Sequence, residues 1–311
     1  MKLIIQIPCF NEAKTLPETV TALPRTVPGI DTIEVLIIDD GSTDATSKVA
    51  LKAGVDHVLR LPRNQGLARA FAAGIEQALR LGADIIVNTD ADNQYCADDI
   101  PALIAPILAG EADFVIGERP IESIQHFSLL KKLLQRIGSA TVRLFSRTDV
   151  RDAPSGFRAF SRRAAARLNV FNEYTYTLET IIQAGQKHMA VTSVPVRVNQ
   201  PTRESRLVRS IPDYVRRSVA TILRVFIIYR PLRFFATMAA VTFIPGFLLG
   251  LRFVHFFTLG QGDGKIQSLI LATLLMGLAA LLLVIGIVTD LIAVNRQLLE
   301  RINTRLHEIE E

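Results

Sequence analysis

Ile85-Ile86-Val87-Asn88-Thr89-Asp90-Ala91-Asp92-Asn93-Gln94 is an apolar run that ends in two carboxylates spaced two residues apart. The run Ile85-Ile86-Val87 reads as a strand buried on both faces, which belongs inside a mostly parallel sheet covered by helices. At the carboxyl end of such a strand Asp90 and Asp92 face one way into a crevice, where open α/β sheets bind their ligands. These oxygens, with Gln94 beside them, suit a hard divalent cation, Mg²⁺ or Mn²⁺, and through it a phosphorylated ligand. Turn formation is the competing reading of Asp, Asn and Gln after a strand. A calcium loop of the EF-hand type is disfavoured, because its sixth position lacks Gly and Pro101 stands where the closing Glu belongs.

Working outward, Leu3–Ile7, Val35–Ile38, His57–Leu59 and Phe114–Ile116 are further short apolar runs, separated by helical patterns over 12–23, 43–53, 66–81 and 98–109. This alternation predicts an α/β domain with a mostly parallel sheet. Two more polar motifs follow strands, Pro8-Cys9-Phe10-Asn11-Glu12 and Asp39-Asp40-Gly41-Ser42-Thr43-Asp44. Each has a capping alternative, Asn11 for the first helix and Ser42 or Thr43 for the next. Three such motifs at one end of a sheet converge on a single crevice, which capping alone does not require. The glycine fingerprints of dinucleotide and P-loop sites are absent, so those sites are disfavoured.

The chain has 311 residues and a net charge of +5, and its composition changes near Tyr229. Phe234 to Leu251 is an uncharged run that extends to Leu259 if Arg252 snorkels, and Ile266 to Thr289 is uncharged throughout. Both approach or exceed the roughly 20 residues that cross a hydrocarbon core, and Pro245-Gly246 is tolerated within a membrane helix. Arg224, Arg230 and Arg233 precede the first span and Arg296, Arg301 and Arg305 follow the second. The positive-inside rule therefore predicts an integral protein of the cytoplasmic membrane with both chain ends on the cytoplasmic side. No secretory signal is visible, and Cys9 and Cys96 are expected to stay reduced. The basic excess between Arg197 and Arg233 fits anionic lipid headgroups rather than nucleic acid. Residues 208–229 place apolar side chains at helical spacing opposite Arg216, Arg217 and Arg224, which suits either the membrane interface or the face of a soluble domain. Gly246 and Gly250 serve either self-association of the chain or packing of its own two helices.

In order along the chain, Pro8-x-x-Asn11-Glu12, Asp39-Asp40-Gly41-Ser42-x-Asp44, Asn64-x-Gly66, Asp90-x-Asp92-x-Gln94, Gly117-x-Arg119, Ser155-Gly156-Phe157-Arg158 and Thr202-Arg203-x-Ser205-Arg206-Leu207 form a set. With them the sequence resembles the family 2 glycosyltransferases of the GT-A fold, and among these the polyprenyl-phosphate (dolichol-phosphate-like) sugar transferases, over nearly its whole length. The resemblance implies a Rossmann-like GT-A domain over 1–207, a juxtamembrane amphipathic region over 208–231, two transmembrane helices within 232–294 (about 233–258 and 266–291), and a cytoplasmic tail over 295–311. It implies that Pro8, Phe10, Glu12 and Asp39 line the base and ribose pocket, and that Asp90, Ala91, Asp92 and Gln94 hold the metal and the donor diphosphate. Arg119 would stabilise the sugar phosphate, and Arg203 and Arg206 would clamp the lipid phosphate or the diphosphate. Arg206 stands where relatives often carry Lys.

Asp152 is the candidate base or acceptor-orienting carboxylate, with a salt bridge to Arg151 or Arg158 as the alternative. Glu179 faces either the cleft or a neighbouring arginine. The implied reaction is inverting transfer of a sugar from a UDP-sugar, or a GDP-sugar, to undecaprenyl or dolichyl phosphate. A processive polysaccharide synthase shares the fold but uses a Gln-x-x-Arg-Trp signature, and this chain contains no Trp. A non-catalytic nucleotide-sugar-binding scaffold is disfavoured, since both Asp90 and Asp92 are retained.

Overall fold

Leu3, Ile4, Ile5 and Ile7 have no solvent exposure, so the strand they form is covered on both faces. The computed structural model, which describes residues 1–120, 148–168, 170, 176–199, 230–261, 264 and 266–310 with isolated positions at 139–146 and 216–227, places that strand in the middle of a sheet. β1 (Lys2–Cys9) pairs in parallel with β2 (Thr32–Asp39) on one side and with β4 (Ile85–Asn88) on the other, and β3 (His57–Arg60) continues the sheet beyond β2. Leu3, Ile5, Ile7, Val35, Ile37 and Val87 share one buried cluster with residues of α1 (Leu16–Ala22) and α4 (Ile100–Leu108). α3 (Leu67–Arg80) comes close at Gly74, where a Cβ would lie 2.4 Å from Gln6 Oε1 and 2.7 Å from Ile38 Cδ1. α2 (Thr46–Lys52) links β2 to β3.

Among the described residues the sheet has seven strands in the order β3-β2-β1-β4-β6-β5-β7, where β5 is Phe114–Glu118, β6 Arg158–Ser161 and β7 Val191–Pro195. The expected mostly parallel α/β architecture is present, with α5 (Arg162–Arg167) and α6 (Thr177–Gln186) completing the unit. Two strands come as additions. β6 runs antiparallel to both β4 and β5 and separates them, and β7 is parallel to β5. Neither announces itself locally: β6 is four residues that begin with an arginine, and β7 is half-exposed and ends in proline.

The order of strands reverses at β1 and β4, which opens a crevice at their carboxyl ends. Pro8 helps to open it. Gln6 O accepts from Thr89 N on the β4 side and Cys9 O from Asp40 N on the β2 side, so Pro8, two residues beyond Gln6, faces β4. The β1–β4 ladder ends at Gln6 and Asn88, so the missing N–H of Pro8 costs no ladder bond.

The chain divides into two compact units, Met1–Ile222 and Leu223–Glu311. In the second, α7 (Pro231–Thr258) and α8 (Ile266–Glu310) are both long and apolar enough to cross a membrane. They pack on each other at small residues: a Cβ on Gly246 would lie 2.9 Å from Leu275 Cβ, and one on Gly286 2.9 Å from Phe235 Cβ. Gly250 lies on the same seam, so the Gly246/Gly250 pair joins helices of one chain. Most large apolar side chains elsewhere on the two helices are exposed, as lipid-facing residues are. α8 runs on through 295–310, the stretch expected to form the C-terminal tail.

Candidate active site

The loops that follow β1 and β2 are sewn to one another beside the crevice. Asn11 N donates to Ser42 Oγ at 2.9 Å, and Asn11 Oδ1 accepts from Thr43 N at 2.8 Å. Glu12 N reaches Thr46 Oγ1 at 2.9 Å, and Ala13 N reaches Asp44 at 3.2 Å. Asn11 and Ser42 thus bond across to the other loop instead of capping their own helices, which corrects the capping alternative.

Asp39 and Asp40 do different work. Asp39, 1% exposed, accepts from Ser42 N at 2.7 Å and from the Ser47 hydroxyl. Asp40 accepts from Gln65 N at 2.7 Å and Gly66 N at 2.8 Å, tying the end of β2 to the start of α3. Burial pushes the Asp40 carboxyl above its ordinary pKa, against the opposing pull of those two N–H groups. Between these loops Gly41 has φ +67°, and a Cβ there would lie 2.4 Å from Arg63 C and 2.6 Å from Asn64 N. Gly41→Ala is therefore expected to lose about 2–4 kcal/mol of stability. Gly54→Ala, with a similar φ of +78° but nothing within 4 Å, should lose only about 1–2 kcal/mol. Chemical denaturation of both variants checks the difference.

Of the nucleoside-pocket candidates, Pro8, Glu12 and Asp39 are buried, whereas Phe10 offers an exposed ring at 39%. Cys9 lies beneath them, and burial raises its thiol well above the ordinary value, so it stays neutral and inert.

The acidic loop is held from both sides. Thr19 Oγ1 donates to Ala91 O at 3.0 Å, and Asn93, with φ +54°, bonds Glu18 through its side-chain amide at 3.1 Å. Asn199 Nδ2 donates to Asn93 O at 2.9 Å, and Asn199 N to Gln94 O at 2.8 Å. Asp90, Asp92 and Gln94 are half-buried, so their oxygens are held yet reachable. Among the described residues no group of three His, Cys, Asp or Glu side chains converges as a metal site. Two loop carboxylates without a third fit a cation whose remaining positions are filled by water and ligand phosphates, the usual mode of Mg²⁺.

Arg119 and Asp152, both singled out in the sequence, meet each other. Arg119 Nε and Nη2 donate to the two Asp152 oxygens at 2.6 and 2.9 Å, and its backbone N adds a third bond at 3.2 Å. Asp152 has no exposure. Among the described residues its ion pair is with Arg119, whose guanidinium it holds through both carboxylate oxygens. Arg158 instead donates to Ala153 O, Ser155 O, Thr177 O and Thr180 Oγ1 at 2.6–2.9 Å, and burial pushes its pKa down to about 10. Glu179 is buried on α6.

Arg203 and Arg206, with most of the stretch 208–229, lie outside the described residues. The chain does enter that stretch from Asn199, which is bonded to the acidic loop. Asn88, Tyr95 and Tyr176, which the sequence did not single out, gather around Gly156 of the quoted Ser155–Arg158 motif. Asn88 donates to Gly156 O at 2.8 Å and to the Tyr176 hydroxyl at 2.9 Å, and Tyr95 accepts from Gly156 N at 2.9 Å. Asn88 sits two residues before Asp90 at the end of the buried β4.

A family model described as glycosyl transferase family 2 matches residues 4–168. Undecaprenyl-phosphate mannosyltransferase of Micrococcus luteus is 32% identical over 166 residues, which cover 51% of this chain and 66% of that protein. UDP-N-acetylglucosamine–dolichyl-phosphate N-acetylglucosaminyltransferase of Methanococcus voltae is 30% identical over 216 residues, 61% of this chain and 83% of that one. Among solved structures, glucosyl-3-phosphoglycerate synthase of Mycobacterium tuberculosis in complex with Mn²⁺, UDP and glucosyl-3-phosphoglycerate shares the fold, with a TM-score of 0.57 at 18% identity over 73% of this chain and 78% of that one.

Proposed function

The chain belongs to glycosyl transferase family 2, transferases of the GT-A type, and from that membership we propose that it moves a sugar from a nucleotide sugar to a polyprenyl phosphate at the cytoplasmic face of a membrane. The observation that carries this reading is the gathering of Asp90, Asp92 and the Arg119–Asp152 pair at the carboxyl edge of the sheet, in a chain that also has two helices able to cross a bilayer. The named activities of the Micrococcus and Methanococcus relatives, both on lipid phosphates, support the acceptor. UDP with Mn²⁺ or Mg²⁺ in structures of the mycobacterial synthase supports the donor type and the cation.

The residues divide the task. Phe10 offers its ring to the base, with Pro8, Glu12 and Asp39 shaping the floor for the ribose. Asp90 and Asp92, with Ala91 and Gln94 in the same loop, would hold Mg²⁺ or Mn²⁺, which when bound supplies positive charge against the leaving diphosphate. Arg119 adds a fixed cation there, and Asp152 acts through it by locking the guanidinium plane. Arg203 and Arg206 would take the lipid phosphate. A phosphate oxygen of the acceptor attacks the anomeric carbon as the bond to the nucleoside diphosphate breaks, with inversion. The attacking phosphate is already anionic at neutral pH, so no strong base is required. In this reading 1–207 is the catalytic domain, and the two spans return the chain to the cytoplasmic side.

A panel of radiolabelled UDP- and GDP-sugars tests the proposal, each incubated with the detergent-solubilised chain and undecaprenyl phosphate. Label is expected in the organic phase with one donor and is lost on chelation. A donor consumed without labelled lipid would show that the acceptor is wrong.

A further inference from the structure

We infer that Gly156 is a positioning residue for Asp90: its bare Cα is the seat that sets the direction of the Asp90 carboxylate. This rests on the reading of Asp90 as a cation ligand. A Cβ on Gly156 would lie 3.0 Å from both Asp90 oxygens and 3.2 Å from the Tyr176 hydroxyl. The φ of Gly156 is outside the left-handed region that the chain's positive-φ glycines occupy, so its backbone conformation does not call for glycine. Space is the reason that remains.

The seat is also stiff. Both polar backbone groups of Gly156 are taken, the N–H by the Tyr95 hydroxyl and the C=O by Asn88 Nδ2. Asn88 is fixed in turn, because its other amide bond goes to Tyr176 and its Oδ1 accepts from Gln6 Nε2 at 2.9 Å. Rings back the two phenols: Tyr176 stacks on Phe71 with centroids 3.8 Å apart, and Tyr95 on Phe157 at 5.1 Å. Two residues on, Arg158 pins Ala153 O and Ser155 O. A carboxylate resting on this surface has both oxygens placed before any cation arrives. Partners that orient a metal ligand without touching the metal are typically worth about 10–100-fold in affinity.

The added methyl of Gly156→Ala meets only side-chain ends, so the carboxylate swings away while the fold survives. The test measures Mn²⁺ uptake by the full chain in detergent with UDP, and separately with GDP, from the electron paramagnetic resonance of free Mn²⁺. Thermal unfolding in chelator is recorded alongside. Gly156→Ala is expected to bind Mn²⁺ about tenfold more weakly, with unfolding in chelator unchanged. Tyr176→Phe keeps the stack on Phe71, removes the hydroxyl that accepts from Asn88, and is expected to weaken uptake severalfold. It decides the matter if the alanine variant does not fold. Equal uptake by parent and variants overturns the seat and leaves the metal site standing. Weaker uptake that comes with a matching loss of stability in chelator assigns Gly156 to the fold and overturns the positioning role. No uptake by the parent overturns the metal reading and the seat together.

Discussion

Asp92→Asn is expected to lower the rate of sugar transfer at least about a thousandfold, or ~4 kcal/mol of transition-state stabilisation, while the α/β unit stays folded. The substitution is nearly isosteric. Asp92 Oδ1 accepts from Gln94 N at 3.3 Å, and the asparagine carbonyl can keep that bond, while Thr19 and Asn199 hold the loop from elsewhere. The formal charge is what goes. With Asp90 and Asp92 the two carboxylates of this loop, the substitution removes half of the loop's formal charge. Initial rates with and without added Mn²⁺, beside the melting profile of the variant, check the expectation. A loss below tenfold would remove Asp92 from the catalytic machinery, and partial recovery at high Mn²⁺ would support its place as a ligand.

Arg158→Met carries the largest expected effect on stability. The replacement is unbranched and similar in length, so it leaves little cavity. It removes the arginine bonds to Ala153 O, Ser155 O, Thr177 O and the Thr180 hydroxyl, all at 2.6–2.9 Å in the native protein, although Thr180 Oγ1 keeps its bond to Tyr176 O. Each stranded buried acceptor costs about 1–3 kcal/mol. Relief from burying a guanidinium offsets part of this, since burying an ion costs several kcal/mol. Four lost bonds exceed that relief, and a net loss of about 3–5 kcal/mol is expected, enough to unfold a domain of ordinary stability. At neutral pH the native guanidinium remains charged, because its pKa falls only to about 10. The chain has no tryptophan, so urea unfolding of the α/β unit is best followed by circular dichroism. Unchanged stability would show that the turn at Ala153–Ser155 is held by something other than this arginine.

The parallel half of the sheet could be read from the chain because Leu3–Ile7, Val35–Ile38 and Ile85–Val87 need cover on both faces, a requirement stated by composition alone. β6 could not be read that way. Arg158-Ala-Phe-Ser161 becomes a strand because β4 and β5 flank it and because Thr177 and Thr180 satisfy its arginine. Such long-range causes leave no periodicity. The site divides along the same line. Asp90 and Asp92 were legible as polar residues ending a buried run. The Arg119–Asp152 pair joins residues 33 apart, and spacing gave no sign that the two would meet. The place of Gly156 is a matter of shape, as the distance from its Cα to a carboxylate is not encoded in any local pattern.

The antiparallel insertion of β6 also orders the assembly of the sheet during synthesis. β4 and β5 leave the ribosome with facing edges unpaired, and they stay open until Arg158–Ser161 follows. Open edges invite pairing with other chains, so every nascent chain passes through an interval in which it is exposed to aggregation. Gly156 lies two residues before the strand that ends this interval, and there it stands against Asp90. Closure of the sheet therefore precedes completion of the site on the growing chain, because Tyr176 and Asn199, which buttress Gly156 and the acidic loop, follow β6.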